Sequence, residues 1–544
     1  GIRPRLKVFG SAAGKPEFLG SMVGMIDELK SYGVSAAALQ QAAQSSTGLF
    51  AEKLSELALI LGAYEAATAQ GQADPRDRLT LLRKKLLDGD YAHGRHFFVD
   101  GFTDFSGLEL GVLESLLRRG ESLTVTLPAG DDPAQPGVFL PGAETMAVLS
   151  ELCRSLGQEL RVLPAAYHRP LPPALTYLEQ HLMDYAADGF TEPQTAVQVL
   201  LPADLLEECR ACGAVLKRKA MEGMRFRDMA VCCGDENAYR ALLPAVLESL
   251  GIPAYRSEKR QVLAHPVARF LLLALECATG GMEQEAVMAY LKTGYPGLDR
   301  DQVDLLENYC VTWAIRGSKF FSEWKLHPDG YDGVFREETE VLLQNLNDWR
   351  EAAMEPLQQL SLHLRDALTV REQLEAVYDF MTAARLYARL EQQVAEETAN
   401  GQLEAAQETA QIWSILLTCL QQTAQVLGAL RLKGQELGKM LELALGQYQV
   451  GTIPAVLDAV SIGSVSSMRG KEPKLLYVLG ATESAMPAAP AGGSLLSEQE
   501  RQTLRQQFDI QLAPDSEGNL QRQLLELYTA FTAPTQALYL SCPA

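Results

Sequence analysis

Three short apolar runs stand out along this chain, each bounded by polar or glycine-rich segments. They are Met229–Cys233, Leu475–Leu479 and Ala537–Ser541. Near-continuous apolar runs of about four to eight residues are typical of parallel strands that are covered on both faces of a sheet. We therefore predict buried strands at these three positions.

In the first half of the chain, the spacing of apolar residues alternates between helical and strand-like. Apolar residues recur roughly three to four positions apart through residues 16–90, which predicts helices. Residues 96–127 then follow a strand–helix–strand order, with strands expected at Phe97–Val99 and Leu123–Leu127. This order indicates a first α/β core.

A second α/β region begins at Val197–Leu201 and extends to a short strand expected near residues 251–255. Residues 265–450 are almost wholly helical in pattern, and their part rich in Ala, Gln and Glu suits long helices. Strand-like character returns at about residue 455. The pattern therefore predicts two α/β cores, each accompanied by an all-helical segment.

Composition limits the class of protein. With 544 residues, of which 47% are hydrophobic, the chain is long enough for several domains and is not intrinsically disordered. It has no apolar run of bilayer-spanning length and does not open with a signal peptide, so we expect no membrane contact. Nine cysteines without regular spacing indicate reduced thiols in a cytoplasmic protein. Because the chain begins Gly1-Ile2 without methionine, we expect it to be a piece of a longer polypeptide.

The net charge of −21 argues against a generally basic surface for nucleic acid. Local basic clusters occur at Arg83–Lys85, Arg118–Arg119 and Lys217–Lys219. Each is either a solvated helix face, which is the commoner case, or part of a local basic channel.

The C-terminal region resembles the last third of a helicase motor domain. Gly470-Lys471-Glu472 loosely matches a motif that precedes a strand, and Gly480, Glu483 and Pro487 match the loop after that strand. Tyr528–Thr532 matches the final motif. In this order the segments resemble superfamily 1 helicases of the UvrD and RecB type.

Further segments together resemble one family, the AddB subunits of the bacterial ATP-dependent helicase/deoxyribonuclease AddAB. The segments are Met25–Val34, Val99–Phe105, Tyr290–Gly294, Leu306–Tyr309 and Leu512–Ser516. The resemblance implies a protein that pairs with the motor protein AddA, binds single- and double-stranded DNA, and helps to recognise the Chi sequence in recombinational repair. It also implies ATP with Mg²⁺ and an iron–sulfur cluster in the full-length protein, whereas no cofactor is expected in this segment.

The same resemblance implies an α/β fold class of tandem RecA-like domains, the P-loop NTPase fold of superfamily 1 helicases, with large all-helical insertions. The expected segments are a helical insertion of the first domain at 1–90, the remainder of that domain at 91–195, the start of the second at 196–264, its helical insertion at 265–454 and its completion at 455–544. Leu475–Leu479 is then expected beside Met229–Cys233, in a sheet separate from Phe97–Val99.

Several motor positions lack the group that catalysis needs. Asp100 ends a predicted strand where a Walker B aspartate would hold Mg²⁺, but Gly101 replaces the glutamate that follows in active motors. Asp100 is thus either a degenerate Walker B residue or a cap for the adjacent turn. Gly234 and Ala533 stand where related motors carry arginines that stabilise phosphate charge. These losses indicate a fold without motor activity, in which we assign no catalytic residue.

Three other motifs are weaker than they look. Gly10–Pro16 has too few residues between its glycines and a proline where Ser or Thr would bind Mg²⁺, which favours a plain loop. Gly130–Gln135 places its glutamine one residue late for a helicase motif, which favours a turn. Cys209–Cys212 has CxxC spacing without a second pair, so we assign no metal site.

Candidate DNA contacts lie near predicted strand ends, where open α/β sheets bind ligands. Phe102 and Phe105 either stack on unpaired bases or pack beneath the following helix. Arg469 and Lys471 either contact phosphates or are merely solvated.

Two functions from different classes remain open. The chain is either the non-catalytic, helicase-like body of an AddB protein, contributing single-stranded DNA binding, Chi recognition and docking of AddA, or an active ATP-dependent DNA helicase with displaced motifs. DNA-stimulated ATP hydrolysis distinguishes them. We expect neither ATPase nor nuclease activity from this segment alone.

Overall fold

The computed structural model describes residues 3–13, 15–68, 74–129, 137–163, 169–184, 186–256, 260–451, 456–488 and 495–543. The chain forms two compact units, the first made of Gly1–Ser257 with Val456–Ala544 and the second of Glu258–Ala455. The fold is α/β, with a parallel sheet and many helices.

The first unit combines helices with parallel strands. Its helices are α1 (Pro16–Ser31), α2 (Ala36–Gln44), α3 (Gly48–Thr68), α4 (Arg78–Asp88), α5 (Gly107–Arg119), α6 (Leu140–Leu156), α7 (Pro173–His181), α8 (Leu205–Met221), α9 (Glu236–Tyr239), α10 (Leu242–Ser249), α19 (Glu498–Phe508) and α20 (Ser516–Thr532). Its strands are β1 (His96–Val99), β2 (Ser122–Val125), β3 (Val197–Leu200), β4 (Met229–Cys233), β5 (Ala254–Arg256), β8 (Val460–Ser464), β9 (Leu475–Leu479) and β10 (Ala537–Ser541).

In the described part of this unit, six strands form one parallel sheet in the order β3-β10-β9-β4-β8-β5. Met229 pairs with Leu475, and Leu475 pairs with Ala537, so β9 lies between β4 and β10. The expected pairing of Leu475–Leu479 with Met229–Cys233 is therefore confirmed. Strands from two distant parts of the chain have to combine before this sheet is complete.

The central strands β4 and β9 are buried along their whole length. One face of the sheet packs against apolar residues of α8 and α10, such as Leu216 and Leu243. The other face packs against Leu175 of α7, Met468 and Ala530 of α20. This two-sided burial explains the uninterrupted apolar runs, because each buried Val or Leu stabilises the fold by ~1.5–3 kcal/mol.

Strands β1 and β2 form a second, two-stranded parallel sheet, separate from the first as expected. Phe97 and Val99 pack on one face against Leu113 and Leu116 of α5. Phe98 points to the opposite face and is 78% exposed. The strand alternation thus gives this small sheet one packed and one exposed face.

The N-terminal helices α1–α3 share a core with the C-terminal segment. Leu29 and Leu54 are fully buried in a cluster that includes Leu504 of α19. Arg501 of α19 donates to the Glu28 carboxylate, with Nη2 at 2.9 Å. Residues 1–90, predicted as an insertion of the first motor-like domain, are therefore packed against residues from the other end of the chain.

The second unit is almost wholly helical and contains the predicted helical residues 265–454. Its helices are α11 (Pro266–Gly280), α12 (Gln284–Leu291), α13 (Arg300–Trp313), α14 (Glu337–Asp366), α15 (Val370–Ala383), α16 (Leu386–Ala399), α17 (Leu403–Leu427) and α18 (Gly434–Leu445). The short strands β6 (Arg260–Gln261) and β7 (Gln449–Val450) pair antiparallel. Its core includes the stacked rings of Phe270, Tyr290 and Phe380, all buried.

Two elements differ from the sequence-based expectation. Helix α2 was not predicted, because its Ala- and Gln-rich sequence carries few large apolar residues. Strand β8 was not predicted, because serine and glycine interrupt its apolar residues. Among the described residues, no helix is long and apolar enough to cross a membrane.

Candidate nucleic-acid interface

The loop that follows β1 carries three of the predicted site residues. Asp100 comes directly after the strand and is exposed, and its carboxylate accepts a hydrogen bond from the Thr126 hydroxyl just beyond β2. The Thr126 N–H also donates to the Val99 carbonyl at 3.0 Å. Of the two predicted roles for Asp100, the observed contact matches the structural one, because its carboxylate ties the ends of β1 and β2 together.

The two phenylalanines of this loop stack on each other. The ring centroids of Phe102 and Phe105 are 5.0 Å apart, with an interplanar angle of 25°. Phe105 is partly buried against the α5 core, whereas Phe102 is 38% exposed. Phe102 therefore presents the accessible ring, and Phe105 supports it from behind.

Three side chains from other elements hold the loop in place. The Thr145 hydroxyl of α6 donates to the Thr103 carbonyl at 2.8 Å, and Arg522 of α20 forms an ion pair with Asp104. Arg469 donates through Nη1 to the Gly101 carbonyl at 3.3 Å. The loop after β1 is thus fixed by residues that follow β8 and that lie on α20.

Arg469 is positioned by the turn that follows β8. Ser467 donates through its hydroxyl to the Ser464 carbonyl at 2.7 Å, and Met468 is fully buried beneath the sheet. This turn approaches β8 so closely that a side-chain carbon at Gly463 would lie 2.1 Å from the Ser467 hydroxyl. The Arg469 side chain keeps 43% of its surface exposed and lies 3.6 Å from a Glu526 carboxylate oxygen.

Lys471 occupies a different environment from Arg469. Its ammonium donates to the Ser461 hydroxyl at 2.9 Å and is partly buried. Burial lowers the pKa of Lys471 from its ordinary value, because the charged form loses hydration. The structure therefore brings Phe102 and Arg469 to one loop, while the Lys471 ammonium is directed towards β8.

The three degenerate motor positions are sterically closed to the residues that active motors carry there. Gly101 has a φ of +81°, a backbone conformation that a glutamate adopts only with strain. A side-chain carbon at Gly234 would lie 2.5 Å from the Gly480 carbonyl oxygen. Ala533 is buried, and its carbonyl accepts a hydrogen bond from Arg169 at 3.3 Å. Restoring the charged groups would therefore require the backbone around them to move.

A buried hydrogen-bond network lies beneath the loop that follows β9, and sequence reasoning missed it. Glu208 of α8 is fully buried. Its carboxylate accepts from the Tyr239 hydroxyl at 2.5 Å, the Ser541 hydroxyl at 2.6 Å and the Gly480 N–H at 2.9 Å. The signal was present, since Glu208 shares a helix face with Cys212 and Leu216, where an apolar residue is expected. The network joins α8, α9, β10 and the residue that opens the Gly480–Pro487 loop.

The remaining sequence motifs add no chemistry to this site. Gly130–Gln135 lies outside the described residues, as does Gly14 of the Gly10–Pro16 loop. Cys209 and Cys212 are buried, and burial raises the pKa of the Cys209 thiol to about 11. In the part of the chain that the structure describes, no group of three or more Cys, His, Asp or Glu side chains is arranged to hold a metal ion.

Comparisons with known proteins cover the whole chain. The family model described as ADDB, N-terminal, matches residues 2–179. The chain is 28% identical over 554 residues to the B component of the ATP-dependent helicase/deoxyribonuclease of Caldanaerobacter subterraneus subsp. tengcongensis, and the match covers 99% of this chain and 48% of that protein. It is 30% identical over 567 residues to the protein of the same name from Desulforudis audaxviator, with the same coverage of 99% and 48%. The chain thus spans about half the length of the curated relatives it matches.

Proposed function

We propose, from the premise that this chain is a member of the AddB family, that it is a helicase-like body that binds single-stranded DNA and docks a motor protein without hydrolysing ATP itself. In this proposal the two parallel sheets are tandem RecA-like cores of a superfamily 1 motor. The body contributes to Chi recognition within an AddAB-type complex. Any ATP, Mg²⁺ or iron–sulfur chemistry belongs to other parts of that complex.

The observation that carries the proposal is the closure of the three motor positions. Gly101, Gly234 and Ala533 lack charged side chains, and their surroundings leave no unstrained room for one. Removing a single preorganised charge-stabilising group typically costs about 2.7–4 kcal/mol of transition-state stabilisation. A site that lacks three such groups retains little catalytic power.

A second observation supports a DNA-binding role. Phe102 presents an aromatic ring beside the cation of Arg469, at the carboxyl end of a parallel strand. Aromatic rings that stack on bases, combined with cations that contact phosphates, are the usual components of sequence-tolerant single-strand binding. The strongly negative net charge makes such a local arrangement necessary for any DNA contact.

The test is DNA-stimulated ATP hydrolysis by the complete complex in which the phosphate-binding lysine of the motor protein has been substituted. We expect no turnover above a protein-free blank, while the unsubstituted complex serves as the positive control. Reproducible, DNA-dependent turnover in the substituted complex would instead support an active helicase in this chain. Retention of single-stranded DNA by the substituted complex is the accompanying binding readout.

A further inference from the structure

An exposed apolar surface lies in the second unit, far along the chain from the candidate DNA contacts. In the loop 326–335 between α13 and α14, four large apolar side chains are accessible to solvent. Their exposed fractions are 49% for Leu326, 92% for Tyr331, 72% for Val334 and 46% for Phe335. Because an aromatic side chain buries about 150–250 Å² when fully covered, the exposed apolar area is on the order of 400 Å². Patches of roughly this size on soluble proteins are often binding sites.

The base of this loop is rigidly anchored. The Trp313 indole N–H donates to the His327 carbonyl at 3.0 Å, and the Tyr309 hydroxyl donates to the Leu326 carbonyl at 3.1 Å. The Asp329 N–H donates to Nδ1 of His327 at 3.1 Å. His327 is buried, so the loop is built around a core side chain.

The exposed rings are themselves supported from below. Tyr331 packs edge-on against Trp313, with centroids 4.7 Å apart, and Phe335 packs edge-on against His327 at 4.8 Å. At Gly333, a side-chain carbon would lie 1.9 Å from the His327 ring, so this position requires glycine. The rings are thus held in place before any partner arrives, which reduces the entropy lost on binding.

The charge around the loop selects the kind of partner. The acidic side chains from residue 323 to residue 340 are Glu323, Asp329, Asp332, Glu337, Glu338 and Glu340, and the basic ones are Lys325 and Arg336. Lys325 is already paired with Glu323 at 2.9 Å. An acidic rim repels nucleic-acid phosphates and attracts a basic protein surface.

We infer that loop 326–335 is a docking surface for the motor protein of the complex, in which Tyr331 and Phe335 insert into an apolar pocket rimmed by Lys and Arg. The inference deepens the proposed function and rests on it, because it assigns the docking role to a specific surface. Rigid, exposed aromatic residues at the centre of an interface commonly contribute most of its affinity. The acidic rim accelerates association and sets the orientation.

The experiment uses biolayer interferometry to measure the affinity of the full chain for the purified motor protein, with Tyr331→Ala as the main variant. We expect the Kd to rise at least tenfold. Val426→Ala is the matched control, since Val426 is 71% exposed on α17 of the same unit, and its Kd should match wild type. The double variant Asp329→Lys/Asp332→Lys should slow association several-fold and weaken its dependence on salt. Equal thermal unfolding of all variants verifies that the unit remains folded.

The outcomes separate the inference from the proposed function. An unchanged Kd for Tyr331→Ala, with wild type bound, overturns the docking surface and leaves the proposed function standing. Loss of single-stranded DNA affinity in Tyr331→Ala with unchanged affinity for the motor protein makes the loop a nucleic-acid contact, which also overturns the inference. Failure of the wild-type chain to bind the motor protein overturns both.

Discussion

Truncation of Phe102 should weaken single-stranded DNA binding without altering the salt dependence of that binding. The ring is 38% exposed and rests on Phe105, so one part of it is available to stack on a base. Stacking of a base on an aromatic side chain contributes about 1–3 kcal/mol. Because most of the ring is already covered, the lower end of about 1 kcal/mol applies to Phe102→Ala, which is about a fivefold rise in Kd.

Arg469→Ala should produce a different signature. A cation that neutralises one phosphate of a single strand contributes about 0.7 to the slope of log K against log salt concentration. Loss of Arg469 should therefore reduce the magnitude of this slope by about that amount, whereas Phe102→Ala should leave it unchanged. The loop itself should persist in both variants, because Thr145 still holds the Thr103 carbonyl and Arg522 still pairs with Asp104.

The assay is fluorescence anisotropy with a short single-stranded oligonucleotide, titrated at several salt concentrations. Phe98→Ala is the matched control, since Phe98 is the same residue type, is 78% exposed and lies on the open face of the small sheet. Its Kd should equal that of wild type. If Phe102→Ala and Phe98→Ala bind alike, and the salt slope of Arg469→Ala equals that of wild type, then the interface has been placed at the wrong loop.

Two further predictions concern stability. Tyr239→Phe removes one of three donors to the buried Glu208 carboxylate and should cost about 1.5–3 kcal/mol, seen as faster hydrogen exchange in β9 and β10, whereas Tyr91→Phe on the surface should change nothing. Burial opposes ionisation of Asp74, but hydrogen bonds from Lys30 and its neighbours outweigh it and lower the pKa of Asp74 to about 2, from 3.8. The resulting stabilisation of about 2 kcal/mol is present above about pH 4 and is lost as the pH falls towards 2; an acid unfolding profile that is the same for Asp74→Asn as for wild type would contradict it.

Much of the fold followed from local patterns. The strands β4, β9 and β10 were predicted at their observed bounds, because two-sided burial requires uninterrupted apolar residues. The short strand β8 was missed because Ser461, Gly463 and Ser464 occupy half-buried or tightly packed positions that suit no simple period. Local pattern is informative where burial is complete, and it loses its value where small polar residues fill close contacts.

The candidate site followed from the sequence only in outline. Motif spacing singled out Asp100, Phe102 and Arg469, but it carried no information on which ring is accessible or which cation reaches the loop. The contact between Arg469 and the Gly101 carbonyl joins residues 368 positions apart, and such pairing depends on how the sheets pack. Similarly, the sequence showed an acidic residue at Glu208 without its three donors, which come from distant elements.

The periodicity and identity of residues specify which segments become helices or strands, and which motor groups have been lost, because these properties depend on neighbours along the chain. Exposure, hydrogen-bond partners and the closure of Gly234 depend on atoms brought together from distant segments. Side chains such as Phe102 and Phe105 are chemically identical and three positions apart, so nothing local distinguishes them. Packing against α5 covers one ring and leaves the other accessible to a base.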